Sequence, residues 1–123
     1  NDTIVAGRGA DTLYGGLGRD QMTGGAGRDE FEFGAGIETG VGSQRDIITD
    51  FSKGVDVIDI AQLYVGVFNF IATKAFSGAT GELRFSQTAQ QTIVSGDISG
   101  DGIADFQIAL SGLINLSATD FIL

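Results

Sequence analysis

The chain has 123 residues, with 16 Asp plus Glu against seven Lys plus Arg and a formal charge of −9. It has no Cys, His, Pro or Trp, which removes disulfides, thiolate metal sites, His-based catalytic triads and zinc-protease ligand sets. The acidic balance disfavours nucleic acids and anionic membranes, no apolar run nears the ~20 residues that span a bilayer, and 42% apolar content is too much for a disordered acidic tail.

Twelve of the 20 glycines fall in the first 42 residues, so the chain has two textures. Written in nines, residues 6–14 read AGRGADTLY, 15–23 read GGLGRDQMT and 24–32 read GGAGRDEFE. NDTIV before them is the end of an earlier unit, and FGAGIE at 33–38 begins a degenerate later one. The sixth position holds Asp2, Asp11, Asp20, Asp29 and then Glu38, and the eighth holds Ile4, Leu13, Met22 and Phe31. The second and fourth positions hold Gly7 and Gly9, Gly16 and Gly18, Gly25 and Gly27, and Gly34 and Gly36. Paired glycines permit a tight turn, and each x-apolar-x triplet reads as a very short strand.

One turn reverses the chain, so two units close one coil of 18 residues. Strands at 3–5 and 21–23 then stack in one parallel sheet, and those at 12–14 and 30–32 in another. Their apolar residues meet between the sheets as a thin core. Stacked turns bring acidic side chains and backbone carbonyls together. A hard cation that takes six to eight oxygens relieves that repulsion, and the missing imidazole and thiolate leave calcium as the natural choice.

GGLGRDQMT and GGAGRDEFE match the G-G-x-G-x-D-x-U-x unit of RTX proteins at every Gly, Asp and apolar position, while AGRGADTLY departs once, at Ala6. Residues 1–38 therefore resemble an RTX parallel β-roll. A flexible Gly-rich linker would not keep Asp and an apolar residue at fixed phase.

From about residue 43 the glycines thin and alternation takes over. Strands are expected at 46–51 and 55–60 around a Ser52–Gly54 turn, then at 65–71, 82–87, 91–96, 104–110 and 119–123. One or two helical turns could fit Ile58–Tyr64. The fold expected is all-β: a parallel β-roll over residues 1–42, capped by an antiparallel β-sandwich over 43–123. A solenoid end needs such a cap.

RDIITDF (45–51), GVDVIDI (54–60), GDISGDGIADF (96–106) and the final DFIL (120–123) make the second half similar to the C-terminal region of serralysin-type secreted metalloproteases. The resemblance implies that Glu38 and Asp46 help hold the last calcium, with Asp50 next in line. It also implies a type I secretion signal in Asp120-Phe121-Ile122-Leu123. Asp97–Asp105 mimics the start of an EF-hand loop, but Ile108 stands where the bidentate Glu belongs, and a hairpin turn is the better reading. Arg8, Arg19 and Arg28 read as surface charges.

The functional expectation is a non-catalytic, calcium-binding RTX module, monomeric and extracellular, holding about three to four Ca²⁺. Its partners would be an upstream catalytic domain and the type I secretion machinery, since the chain opens inside a repeat with no basic-then-apolar leader. Neither nucleic acid nor membrane insertion is expected. The alternative is a calcium-dependent appendage that binds anionic polysaccharide on a carbohydrate-active enzyme such as an alginate epimerase. A glycosidase acting through paired carboxylates is a weaker third reading, because the acids are committed to turns.

Overall fold

The computed structural model describes residues 1–34 and 39–123. The strands are β1 (Thr3–Arg8), β2 (Thr12–Tyr14), β3 (Gln21–Ala26), β4 (Glu30–Glu32), β5 (Asp46–Ile48), β6 (Val57–Asp59), β7 (Asn69–Phe70), β8 (Glu82–Gln87), β9 (Gln91–Asp97), β10 (Phe106–Ser111) and β11 (Phe121–Ile122). Single 3₁₀ turns lie at Gly42–Gln44 and Ala118–Asp120. No helical turn forms over 58–64; the segment after β6 is irregular turn.

The 18-residue coil is present. Thr3 pairs with Gln21 and Val5 with Thr23 in parallel, and Thr12 pairs with Glu30 and Tyr14 with Glu32 in parallel. Leu13, Met22 and Phe31 are buried and Ile4 packs against them. β1 and β3 run further than the triplet pattern predicts, because Gly7 pairs with Gly25 and Arg8 with Ala26. Gly7 is not in the left-handed region, whereas its partner Gly25 has φ +98° and Gly27 φ +138°.

The roll does not stop where the glycines thin. β5 adds to β3, and β6 adds to β4, both in parallel. One sheet then runs β1-β3-β5-β10-β9-β8-β7 and the other β11-β6-β4-β2. The second half is mixed rather than wholly antiparallel. β8, β9 and β10 form an antiparallel meander, but β10 lies parallel to β5, β11 to β6 and β7 to β8. The reason is geometric: each sheet of the roll ends on a parallel strand that the following segment extends.

This continuity carries the core through both halves. On one sheet Ile4, Met22, Ile48 and Leu110 stand side by side; on the other Leu13, Phe31, Ile58 and Phe121 do. Beyond them Phe106 meets Phe68 edge-on at 5.9 Å, and Phe70 stacks on Phe85 at 6.1 Å. Gly96 makes room for the Phe106 ring, which a Cβ there would strike. No helix among the described residues is long and apolar enough to cross a membrane.

Candidate metal centre

The sixth-position aspartates form two ladders, one on each edge of the roll. Asp20 Oδ1 accepts the backbone N–H of Asp2 at 2.5 Å, and Asp46 Oδ1 accepts that of Asp20 at 2.7 Å. On the opposite edge Asp29 Oδ1 accepts the N–H of Asp11 at 3.0 Å, and Asp56 Oδ1 accepts that of Asp29 at 2.9 Å. Each carboxylate thus reaches back one coil and satisfies a donor that the short strands leave over. Asp20, Asp29 and Asp46 are at most 1% exposed.

The second oxygen is the informative one. Oδ2 of Asp11, Asp20 and Asp29 is buried and accepts no hydrogen bond. A buried, unpartnered carboxylate oxygen is costly unless a cation meets it. In Asp20 and Asp29 this oxygen faces the first glycine of its own turn. A Cβ on Gly15 would lie 3.0 Å from Asp20 Oδ2, and one on Gly24 would collide with Asp29 Oδ2. Backbone carbonyls of the stacked turns are also close at hand: a Cβ on Gly25 would strike Gly7 O, and one on Gly27 would strike Gly9 O. Among the described residues no three acidic side chains converge on one point. A cation here would therefore draw on carbonyl oxygens as well as Asp, the donor set a hard ion such as Ca²⁺ takes. The residues present fit calcium.

Asp2, Asp11, Asp20, Asp29 and Asp46 are brought into the ladders, and Gly7, Gly9, Gly25 and Gly27 into the stacked turns of one edge. Gly16 (φ +81°) and Gly18 (φ +118°) turn the chain on the other edge, and Gly34 is buried after β4. Gly36 and Glu38 lie outside the described residues. Arg19 and Arg28 line shallow recesses beside Asp2 and Asp20, and beside Asp11 and Asp29. Asp50 works differently, since its two oxygens take the N–H groups of Gly24 and Gly25 at 2.9 and 2.8 Å and hold that turn open.

Asp56 is the residue that the repeat pattern missed. Its signal is Gly54-Val55-Asp56-Val57-Ile58, positions four to eight of a unit whose first two glycines have become Phe51 and Ser52. The EF-hand-like stretch is a loop pinned by its own acids. Asp97, fully buried, accepts the N–H groups of Gly100 and Gly102 at 2.7 and 2.8 Å, and Asp105 those of Ile98 and Ser99 at 2.7 and 2.9 Å. The terminal segment is docked too. Asp120, 2% exposed, accepts from Lys53 Nζ and from the Ser117 N–H, both at 2.8 Å, and Phe121 pairs with Ile58.

Curated proteins give no match. Among solved structures, the AlgE6R3 subunit of the Azotobacter vinelandii mannuronan C5-epimerase aligns at 28% identity and TM-score 0.47, covering 98% of this chain and 77% of that one. The AlgE6R2 subunit of the same epimerase aligns at 21% identity and TM-score 0.43, covering 97% and 91%. Assignment rests instead on the family model for the peptidase M10 serralysin C terminal, which matches residues 1–123. That match takes in every repeat and the whole mixed sandwich, so the chain belongs to the serralysin C-terminal family of RTX-type, calcium-binding modules.

Proposed function

We propose that the two roll edges are the calcium sites, with Asp2, Asp11, Asp20, Asp29, Glu38 and Asp46 as acidic ligands. The carbonyls of the paired glycines (Gly7 and Gly9, Gly16 and Gly18, Gly25 and Gly27, Gly34 and Gly36) complete a set for about three to four ions. In this reading residues 1–42 carry all the metal ligands but Asp46, 43–123 cap the roll, and the module is a non-catalytic, monomeric part of a larger exported protein. The observation that carries it is the buried, unpartnered Oδ2 of Asp11, Asp20 and Asp29.

Calcium, when bound, supplies positive charge and oxygen coordination to these atoms. The chain's own residues supply the coupling to folding. The carboxylates of Asp20, Asp29 and Asp46 hold the backbone of the previous coil while serving the site, so a site is complete only when two coils are stacked. Binding to the folded form alone stabilises it by mass action. Where calcium is scarce the acidic turns repel and the roll stays loose, a state suited to export by the type I machinery. Outside the cell the roll closes on its cap and steadies the attached enzyme.

Circular dichroism melting in millimolar calcium and in excess chelator tests this. Chelation is expected to lower the melting temperature sharply and to loosen residues 1–46. An identical melt in both conditions would refute the proposal.

A further inference from the structure

The last rung of one ladder differs from the rungs before it. On one edge Asp11 and Asp29 each have a buried Oδ2 without a hydrogen bond. The next rung, Asp56, is 5% exposed and has both oxygens in use: Oδ1 accepts the Asp29 N–H at 2.9 Å and Oδ2 accepts the Ser52 N–H at 2.8 Å. The turn beneath is closed by hydrogen bonds from the Val55 and Asp56 N–H groups to Ser52 O at 3.1 and 2.9 Å, with Gly54 at φ +78°. Val57 N–H then bonds to Asp29 O at 2.9 Å. Asp29 is thus gripped at its N–H by the Asp56 side chain and at its carbonyl by the Val57 backbone.

We propose that Asp56 is a calcium-independent terminal rung, a positioning residue that presents Asp29 to the metal without binding metal itself. A carboxylate with two N–H donors is already compensated and has no need of a cation. Asp11 is in the opposite position. Its N–H is held by the carboxylate of Asp29, one of the metal candidates, so its order depends on the state of that site. The 52–57 turn also ties this rung to the C-terminal segment, because Lys53 Nζ and the Gly54 N–H reach Asp120 at 2.8 and 3.4 Å. The inference rests on the calcium reading of the edge and adds a residue whose role differs from that of its neighbours.

Amide hydrogen exchange by NMR on the unaltered chain, with calcium and with excess chelator, tests it. In chelator, as residues 1–46 loosen, the Asp29 amide is expected to be the exception that keeps protection while the Asp11 amide exchanges freely; in calcium both are protected. Asp56→Asn should reduce Asp29 protection in chelator about ten-fold or more, the loss expected for a charge-assisted hydrogen bond, and leave the number of bound calcium equivalents unchanged. Equal exchange of Asp29 and Asp11 in chelator would overturn the proposal, as would loss of one calcium equivalent in Asp56→Asn. If that variant does not fold, the comparison of the two amides in the unaltered chain decides alone. A chain that binds no calcium at all would instead defeat the functional reading, an outcome visible separately in the equivalents counted.

Discussion

At the scale of single residues, aspartates of one chemical type do three jobs, set by what each second oxygen meets. Asp20 and Asp29 leave Oδ2 buried against glycine, Asp56 gives its own to Ser52, and Asp97 spends both on loop N–H groups. Asp20→Ala is therefore expected to weaken calcium binding far more than Asp97→Ala. Asp97→Ala should instead lower stability in calcium and chelator alike, by about 2–3 kcal/mol, as N–H groups lose a charged acceptor. Calorimetric titration and denaturant melts of both variants check this; equal calcium loss in the two would place the sites wrongly. Gly24→Ala should weaken binding as well, because the new Cβ would push the Asp29 carboxylate off its line. Ala6 stands at the equivalent position of the first unit, whose Asp11 is less buried than Asp20 or Asp29.

Among the elements, the β1–β3 stack and the C-terminal tail are the most testable. Gly25→Ala combines a left-handed backbone with a clash on Gly7 O, so it should cost at least about 2 kcal/mol and separate the two turns, as read by a denaturant melt. In the tail, burial alone would raise the Asp120 carboxyl, but hydrogen bonds from Lys53 and from the Ser117 and Gly54 N–H groups outweigh it and hold the pKa below the ordinary 3.8. A depressed acid stabilises the fold above its unfolded value, so this contribution is present at neutral pH. It disappears as the pH falls from about 3.8 through the lower folded value. Lys53→Met should shift that acid loss to higher pH; an unchanged acid limb would show that the tail contacts do not matter. Lys53 itself is partly exposed, so solvent screening keeps the expected shift modest.

These elements also show what the sequence could and could not reveal. The nine-residue phase specified the coil, the inward apolar residues and the acidic edges, because a repeat states its geometry several times over. It did not foretell that β5 and β6 continue the roll, since Asp46 and Asp56 sit 26 and 27 residues beyond Asp20 and Asp29 instead of 18. Insertions between coils break the period while leaving the stacking intact. The parallel placement of β10 and β11 depends on contacts distant in sequence, which local alternation cannot specify. The role of Asp50 was hidden for the same reason, as its partners are the N–H groups of Gly24 and Gly25.

For the whole molecule, the net charge of −9 describes the chain without its metal. On the proposed count of about three to four Ca²⁺ at two charges each, most of that excess would be neutralised. On that proposal part of the acid is a ligand set held in register by glycine, and the continuous sheets link it to the apolar core. Carboxyl-carbon NMR shifts followed through a calcium titration test this account most directly. The carboxyl carbons of Asp11, Asp20 and Asp29 are expected to shift and saturate together while those of Asp97 and Asp105 stay in place. Unmoved signals from the ladder residues, or a response confined to Asp97 and Asp105, would contradict it.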